Sequence, residues 1–249
     1  MKKLFTHNFL LFLFLGMAIV PRVRSELPTN AVAVPDVYLK NVCFEMQKAW
    51  PKNRIINIVC HGHSVVAGYF QTPQVDSLGA YPNLLRESLS HRFPHAVCNV
   101  IVTAIGGENS EQGAGRFERD VLALRPDVVT IDYALNDRKI GLARAEAAWR
   151  KMIEACSARH IPVLIFTPTA DQTAKLDDPN DPLNQHAEQI RRLAAEYHVG
   201  LVDSLAQFKN FVQTGSDLSY VMAQSNHPNR KGHQLVAVEL IKWFPASTP

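Results

Sequence analysis

Residues 55–64 read Ile55-Ile56-Asn57-Ile58-Val59-Cys60-His61-Gly62-His63-Ser64. An apolar, β-branched run of strand length stops abruptly at a glycine, and a serine follows two positions later. Such a run suits a buried strand, and a strand-to-loop turn at Gly62 lifts the Ser64 hydroxyl above the end of a sheet.

Working outward, strand-length apolar runs recur at Val97–Thr103, Asp127–Asp132, Ile161–Thr167 and Gly200–Asp203. Helical patterns fall between them. Ala145, Ala148, Trp149, Met152, Ile153 and Cys156 recur at three- and four-residue steps, as do Ile190, Leu193, Ala194 and Tyr197, and a last helix over 230–243 carries Val236, Leu240 and Trp243. The alternation predicts an α/β domain with parallel strands joined by crossover helices. A linker-like segment from Glu26 to Asp36 and a short helix over 37–50, ended by Pro51, precede it.

Four short blocks then share one edge of the predicted sheet. Gly62-His63-Ser64 follows the first strand, Gly106-Gly107 the second and Leu135-Asn136-Asp137 the third, while Asn226-His227-Pro228 stands in the loop before the last helix. Open parallel sheets bind ligands outside the carboxyl ends of their strands, which is where these blocks converge. Each alone has an ordinary explanation: a capped turn at Ser64, turn punctuation at the glycines, an Asx turn at Asn136, a solvated loop histidine at His227. Together they carry the chemistry of ester hydrolysis. A serine hydroxyl needs an imidazole to take its proton and fixed donors for the oxyanion. Ser64 is the expected nucleophile and His227 the expected base, with the main-chain N–H groups of Ser64 and Gly107 and the Asn136 carboxamide as oxyanion donors.

On these residues the chain resembles the SGNH hydrolase superfamily, also called GDSL-type lipases and acylhydrolases, whose Ser, Gly, Asn and His blocks correspond to Ser64, Gly107, Asn136 and His227. The resemblance runs from Arg54 to Trp243. It implies a three-layer α/β/α sandwich around a flavodoxin-like, five-stranded parallel sheet, and ester hydrolysis without metal or organic cofactor. Three departures stand out. Gly62-His63-Ser64 replaces the frequent Gly-Asp-Ser, and Ala134 precedes Leu135-Asn136-Asp137 where the family often has glycine, a difference that matters only if the backbone there needs positive φ. Gln224 stands three residues before His227, where the family commonly has aspartate. A neutral amide cannot stabilise an imidazolium as a carboxylate does, so the expectation is a Ser64/His227 dyad with Gln224 as orienter of the ring and Asp217 as a distant alternative acid.

The chain-wide features set the context. Lys2 and Lys3, an apolar stretch from Phe9 to Val20 and a Val23-Arg24-Ser25 step form a secretory signal pattern over 1–25, too short for an ordinary membrane-crossing helix, although Arg22 and Arg24 keep a retained anchor open as the competing reading. Cleavage after Ser25 removes Lys2, Lys3, Arg22 and Arg24 and no acidic residue, which brings 26 Lys and Arg down to 22 against 23 Asp and Glu. The mature chain is near neutral, and with no Lys/Arg-rich stretch interleaved with aromatics a nucleic-acid partner is not expected. Cys43, Cys60, Cys98 and Cys156 are too scattered for a disulfide scaffold and read as small core residues. His61 and His63 have no carboxylate or cysteine cluster to complete a metal site. Glu108, Asn109 and Arg138 are expected to border the pocket, mainly as turn formers and surface ion pairs.

The reading is a secreted or periplasmic serine esterase. Its parts are a signal peptide over 1–25, a linker and short helix over 26–53 and a hydrolase domain over 54–249. Its substrate is a small-molecule or carbohydrate ester, with carbohydrate deacetylation favoured over a lipid esterase, a thioesterase, an acyltransferase or a non-catalytic carbohydrate-binding relative. Substrate-binding residues and oligomeric state stay unassigned.

Overall fold

The computed structural model describes residues 31–246; the expected signal peptide lies outside them. The chain opens with α1 (Pro35–Tyr38) and α2 (Lys40–Met46), two short helices where one over 37–50 is expected. Leu39, between them, has lost helical geometry, and Trp50 is kept from it by Pro51. Leu39, Cys43 and Met46 are buried in the core, so this segment packs as part of the domain.

The sheet is laid down by β1 (Ile55–Gly62), followed by the single turn α3 (Ser64–Ala67), α4 (Tyr81–Arg92), β2 (Val97–Val102), α5 (Ser110–Asp120), β3 (Val128–Asp132), the single turn α6 (Ala134–Asp137), α7 (Leu142–Ser157), β4 (Val163–Phe166), α8 (Pro182–Tyr197) and β5 (Gly200–Val202). Its order is β2-β1-β3-β4-β5, all parallel. After it come α9 (Ser204–Gln213), an antiparallel hairpin of β6 (Met222–Gln224) and β7 (His227–Pro228), and α10 (Arg230–Ile241).

Strand periodicity divides the interior into two cores. Ile56, Ile58, Cys60, Leu164 and Phe166 face a cluster that includes α4, α9 and α10, while Val59, Val129, Ile131, Val163 and Ile165 face one built with α5, α7 and the inner stripe of α8. The architecture is therefore a three-layer α/β/α sandwich. Ala145, Ala148, Trp149, Met152, Ile153 and Cys156 are buried along α7, as their spacing predicts. The four cysteines are free, and burial pushes the Cys60 thiol up to about 12.

The strand order is what builds the site. Because β1 lies between β2 and β3, the loop after β1 is flanked by the loops after its two neighbours, and chain reversal between β2 and β3 leaves a crevice there.

Candidate active site

Gly62 ends β1 under a tight constraint. An added Cβ would lie 2.4 Å from Val66 Cγ2 and 2.5 Å from the Asp132 carbonyl oxygen, so only glycine lets β3 and α3 pack so close. His63 is extended and caps α3: its Nδ1 accepts from Val65 N at 3.3 Å. Ser64 follows as the first residue of the turn, with its N–H beyond the reach of intrahelical bonding.

The Ser64 Oγ lies 2.9 Å from His227 Nε2. Ser64 and His227 are both buried, and the Tyr69 ring flanks the imidazole with centroids 6.0 Å apart. Burial is the main reason the His227 pKa lies below the ordinary histidine value; the Phe70 main-chain carbonyl pulls it up, and His63 pushes it further down. Its Nδ1 makes no hydrogen bond of normal geometry to the described residues. At the pH where an ordinary histidine is half-protonated, this ring is therefore predominantly neutral and able to accept a proton.

Gly107 has φ +82°, the left-handed region that favours glycine. Asn136 sits in α6 and donates from Nδ2 to the Glu108 carbonyl at 2.8 Å. That bond uses one of the two amide hydrogens and fixes the plane, leaving the other as a directed donor. Ala134 is helical, with no positive φ, so its methyl is accommodated.

Behind Gly107 and Asn136 stands a dense polar network. Glu108 takes a two-pronged bond from Arg116, at 2.9 Å to Nε and 2.6 Å to Nη2, with the side chains only 12% and 9% exposed. This is a half-enclosed ion pair and not the surface pair expected for Glu108. Arg116 also donates to Tyr133 Oη at 3.1 Å, and Tyr133 Oη lies 3.1 Å from His61 Nε2. His61 Nδ1 meets Thr103 Oγ1 at 2.9 Å, and burial pushes the His61 pKa down to about 4, so the ring is neutral. Asp137 accepts from Ser110 N and Trp149 Nε1, each at 2.7 Å, and its burial raises its pKa. Asn109 closes a capping box with Gln112, as a turn-forming residue should. Arg138 pairs with Asp171 at 2.7 Å.

Gln224 pairs with His227 across the β6–β7 hairpin, but its side chain makes no hydrogen bond to the His227 ring. The Gln224 Oε1 accepts from Thr72 N at 2.9 Å and its Nε2 faces Asn226 Oδ1 at 3.4 Å, so the side chain ties the hairpin to the 69–75 loop. Asp217 caps the turn after it, accepting from Ser219 N at 2.8 Å, and is no partner of the ring either. The hairpin is held from the other side by Gln172, whose N–H donates to the Ser225 carbonyl at 2.7 Å. Thus Ser64 and His227 meet, Asn136 is bonded to the residue that follows Gly107 at the same edge of the sheet, and Gln224 holds the loop that carries His227.

Arg116 and the structural use of Asp137 escape a motif reading. The Asn109-x-x-Gln112 spacing is their one sequence signal, since it starts a helix at Ser110 that returns Arg116 toward Glu108. Beside Asn136 opens a cavity of about 330 Å³, with Arg138, Lys139, Thr173, Asp181 and Asn226 on its wall. A larger one of about 620 Å³, lined by Tyr38, Ile161 and Val199, lies at the opposite end of the strands, away from Ser64.

Residues 60–235, more than half of the chain, match the GDSL-like lipase/acylhydrolase family. The chain belongs to that family. It is accordingly a carboxylic ester hydrolase of the GDSL, or SGNH, kind. An acetylxylan esterase of Geobacillus stearothermophilus is 22% identical over 157 residues, which cover 58% of this chain and 71% of that one. The crystal structure of an acetylxylan esterase from the same organism superposes with TM-score 0.68 at 20% identity, covering 77% of this chain and 95% of the other. A two-domain esterase active on acetylated mannans gives TM-score 0.69 at 20% identity, over 86% of this chain and 54% of that protein, so this chain spans about half its length. Among the described residues, no helix is long and apolar enough to cross a membrane.

Proposed function

We propose that this GDSL-family hydrolase is an exported serine esterase that removes acetyl groups from carbohydrate, through an acyl-enzyme on Ser64. The observation that carries the reading is the 2.9 Å contact between Ser64 Oγ and His227 Nε2 at the mouth of the crevice between the β2 and β3 loops. His227 takes the hydroxyl proton as Oγ attacks the ester carbon. The Ser64 and Gly107 N–H groups and the free Asn136 amide hydrogen receive the oxyanion. His227 then gives the proton to the departing alcohol oxygen, and water, deprotonated by the same ring, releases the acid.

Two further observations support a sugar as the alcohol. The cavity beside Asn136 carries Arg138, Lys139, Thr173, Asp181 and Asn226, groups that hydrogen-bond hydroxyls, alongside Leu135, Ala174 and Pro182. The acetylxylan and acetylmannan esterases named above share the fold. Initial rates on acetylated xylan and mannan oligosaccharides and on p-nitrophenyl esters of increasing chain length test the reading, with Ser64→Ala as control. Acetate release from the oligosaccharides and a steep fall beyond the acetyl ester are expected. Preference for long acyl chains, with no release from acetylated sugars, overturns it.

A further inference from the structure

Next to Ser64, two buried polar atoms face each other without a partner. His63 Nε2 and Asp132 Oδ1 make no hydrogen bond. They lie 3.6 Å apart, and their side chains are 1% and 2% exposed. Unpaired buried groups are costly, and an approach of roughly half an ångström brings this pair to an ordinary hydrogen-bond length.

The other side of the ring fixes its tautomer. Nδ1 accepts from Val65 N at 3.3 Å, so the proton of the neutral ring belongs on Nε2, toward Asp132. The unshared pair on Nδ1 also lies 3.4 Å from Ser64 Oγ. Tyr81 O–H donates to the other Asp132 oxygen at 3.3 Å and keeps the carboxylate in place. Ser64 thus stands between two imidazoles, and the one with a carboxylate behind it is His63.

We propose that His63 is a second proton acceptor for Ser64, and that Asp132, acting through His63 as a positioning residue, is the carboxylate of this site. The inference rests on Ser64 being the nucleophile proposed above. As the Ser64 O–H bond breaks and the bond from Oγ to the ester carbon forms, the proton passes to His63 Nδ1 in place of His227 Nε2. The imidazolium, held by Asp132 at Nε2–H, returns that proton to the departing oxygen as the carbon–oxygen bond breaks. The groups facing His63 are Asp132 from β3, the Tyr133 ring at 6.4 Å, Asp137 from α6 and His227 from the hairpin, with Tyr81 behind Asp132.

Asparagine and serine also cap helices, so His63→Asn and His63→Ser keep an acceptor for Val65 N–H and lose the imidazole. The test is the rate at which a p-nitrophenyl alkylphosphonate labels Ser64 across roughly pH 5 to 9, in the parent protein, His227→Ala, His227→Ala/His63→Asn and His227→Ala/Asp132→Asn, each checked for its fold by circular dichroism. His227→Ala should label more slowly than the parent yet about tenfold or more faster than the double variant lacking His63. Replacing Asp132 should remove most of that advantage. Equal labelling of His227→Ala with and without His63 overturns the proposal, and an unchanged rate on losing Asp132 overturns the carboxylate's part in it. His63→Ser repeats the comparison if His63→Asn does not fold. A parent protein that is never labelled at Ser64 strikes instead at the nucleophile, and the two failures are told apart by that first measurement.

Discussion

The two sides of Ser64 are built differently. On one, Glu108 and Asn136 belong to a network with Arg116, Tyr133 and His61 whose hydrogen bonds link β1, α5 and α6, and Asp137 ties α6 to α5 and α7. On the other, His227 rides a two-stranded hairpin whose anchors, Gln224 and Gln172, grip neighbouring loops, and among the described residues the one side chain hydrogen-bonded to the ring is Ser64. The difference follows the chemistry. Donors to an oxyanion work by being in place before charge appears, whereas a base must change its hydrogen-bond partner as the proton moves from serine to leaving group.

Breaking the comparison outright means removing what both sides act on. Ser64→Ala should cut kcat by at least roughly 10⁴-fold with the fold intact, read by acetate release and thermal melting. Stripping the rigid side of its directed donor comes next: Asn136→Ala should lower kcat by about a hundredfold with a far smaller change in KM. Steady-state kinetics decide it, and an effect confined to KM would make Asn136 a substrate-binding group.

The support of that side is the third target. Arg116→Met leaves the Glu108 carboxylate without its counter-ion in a largely buried space, a loss of about 3–5 kcal/mol and a fall in melting temperature on the order of 10 °C. Scanning calorimetry measures it, and kcat should fall about tenfold as Asn136 loses the fixed Glu108 carbonyl. The smallest effect belongs to the hairpin. Activity needs neutral His227, so kcat/KM rises with pH, and the depressed pKa of the buried ring puts that limb below pH 6.5, the ordinary histidine value. Gln224→Asp should leave the limb where it is, because position 224 points at Thr72 and not at His227. A limb displaced to higher pH would show that the new carboxylate reaches the ring.

The sheet was legible because its signal is local: Ile55–Cys60 and the α7 stripe state their periods without help from the rest of the chain. The placement of Ser64, Asn136 and His227 is local in the same way, each lying next to the end of a strand or the start of a helix. Contacts made across the fold were another matter. Gln224 occupies the position where an acid is expected, but the irregular register of the β6–β7 hairpin turns it toward a loop about 150 residues earlier. The pairing of His63 with Asp132, and of Glu108 with Arg116, depends on the parallel register of β1 with β3 and on the return of α5. No spacing rule spells out either one.

Asp137 has a consequence for how the molecule breathes. One carboxylate joins the first residue of α5, 27 positions upstream, to the middle of α7, 12 positions downstream. Fraying of any one of these segments deprives the other two of their partner, so they open to solvent together or not at all, as a single cooperative unit in hydrogen exchange. Asn136 belongs to that unit and His227 does not. Hydrogen exchange should then show the crevice beside Ser64 as a seam between two parts of the protein that open at different rates.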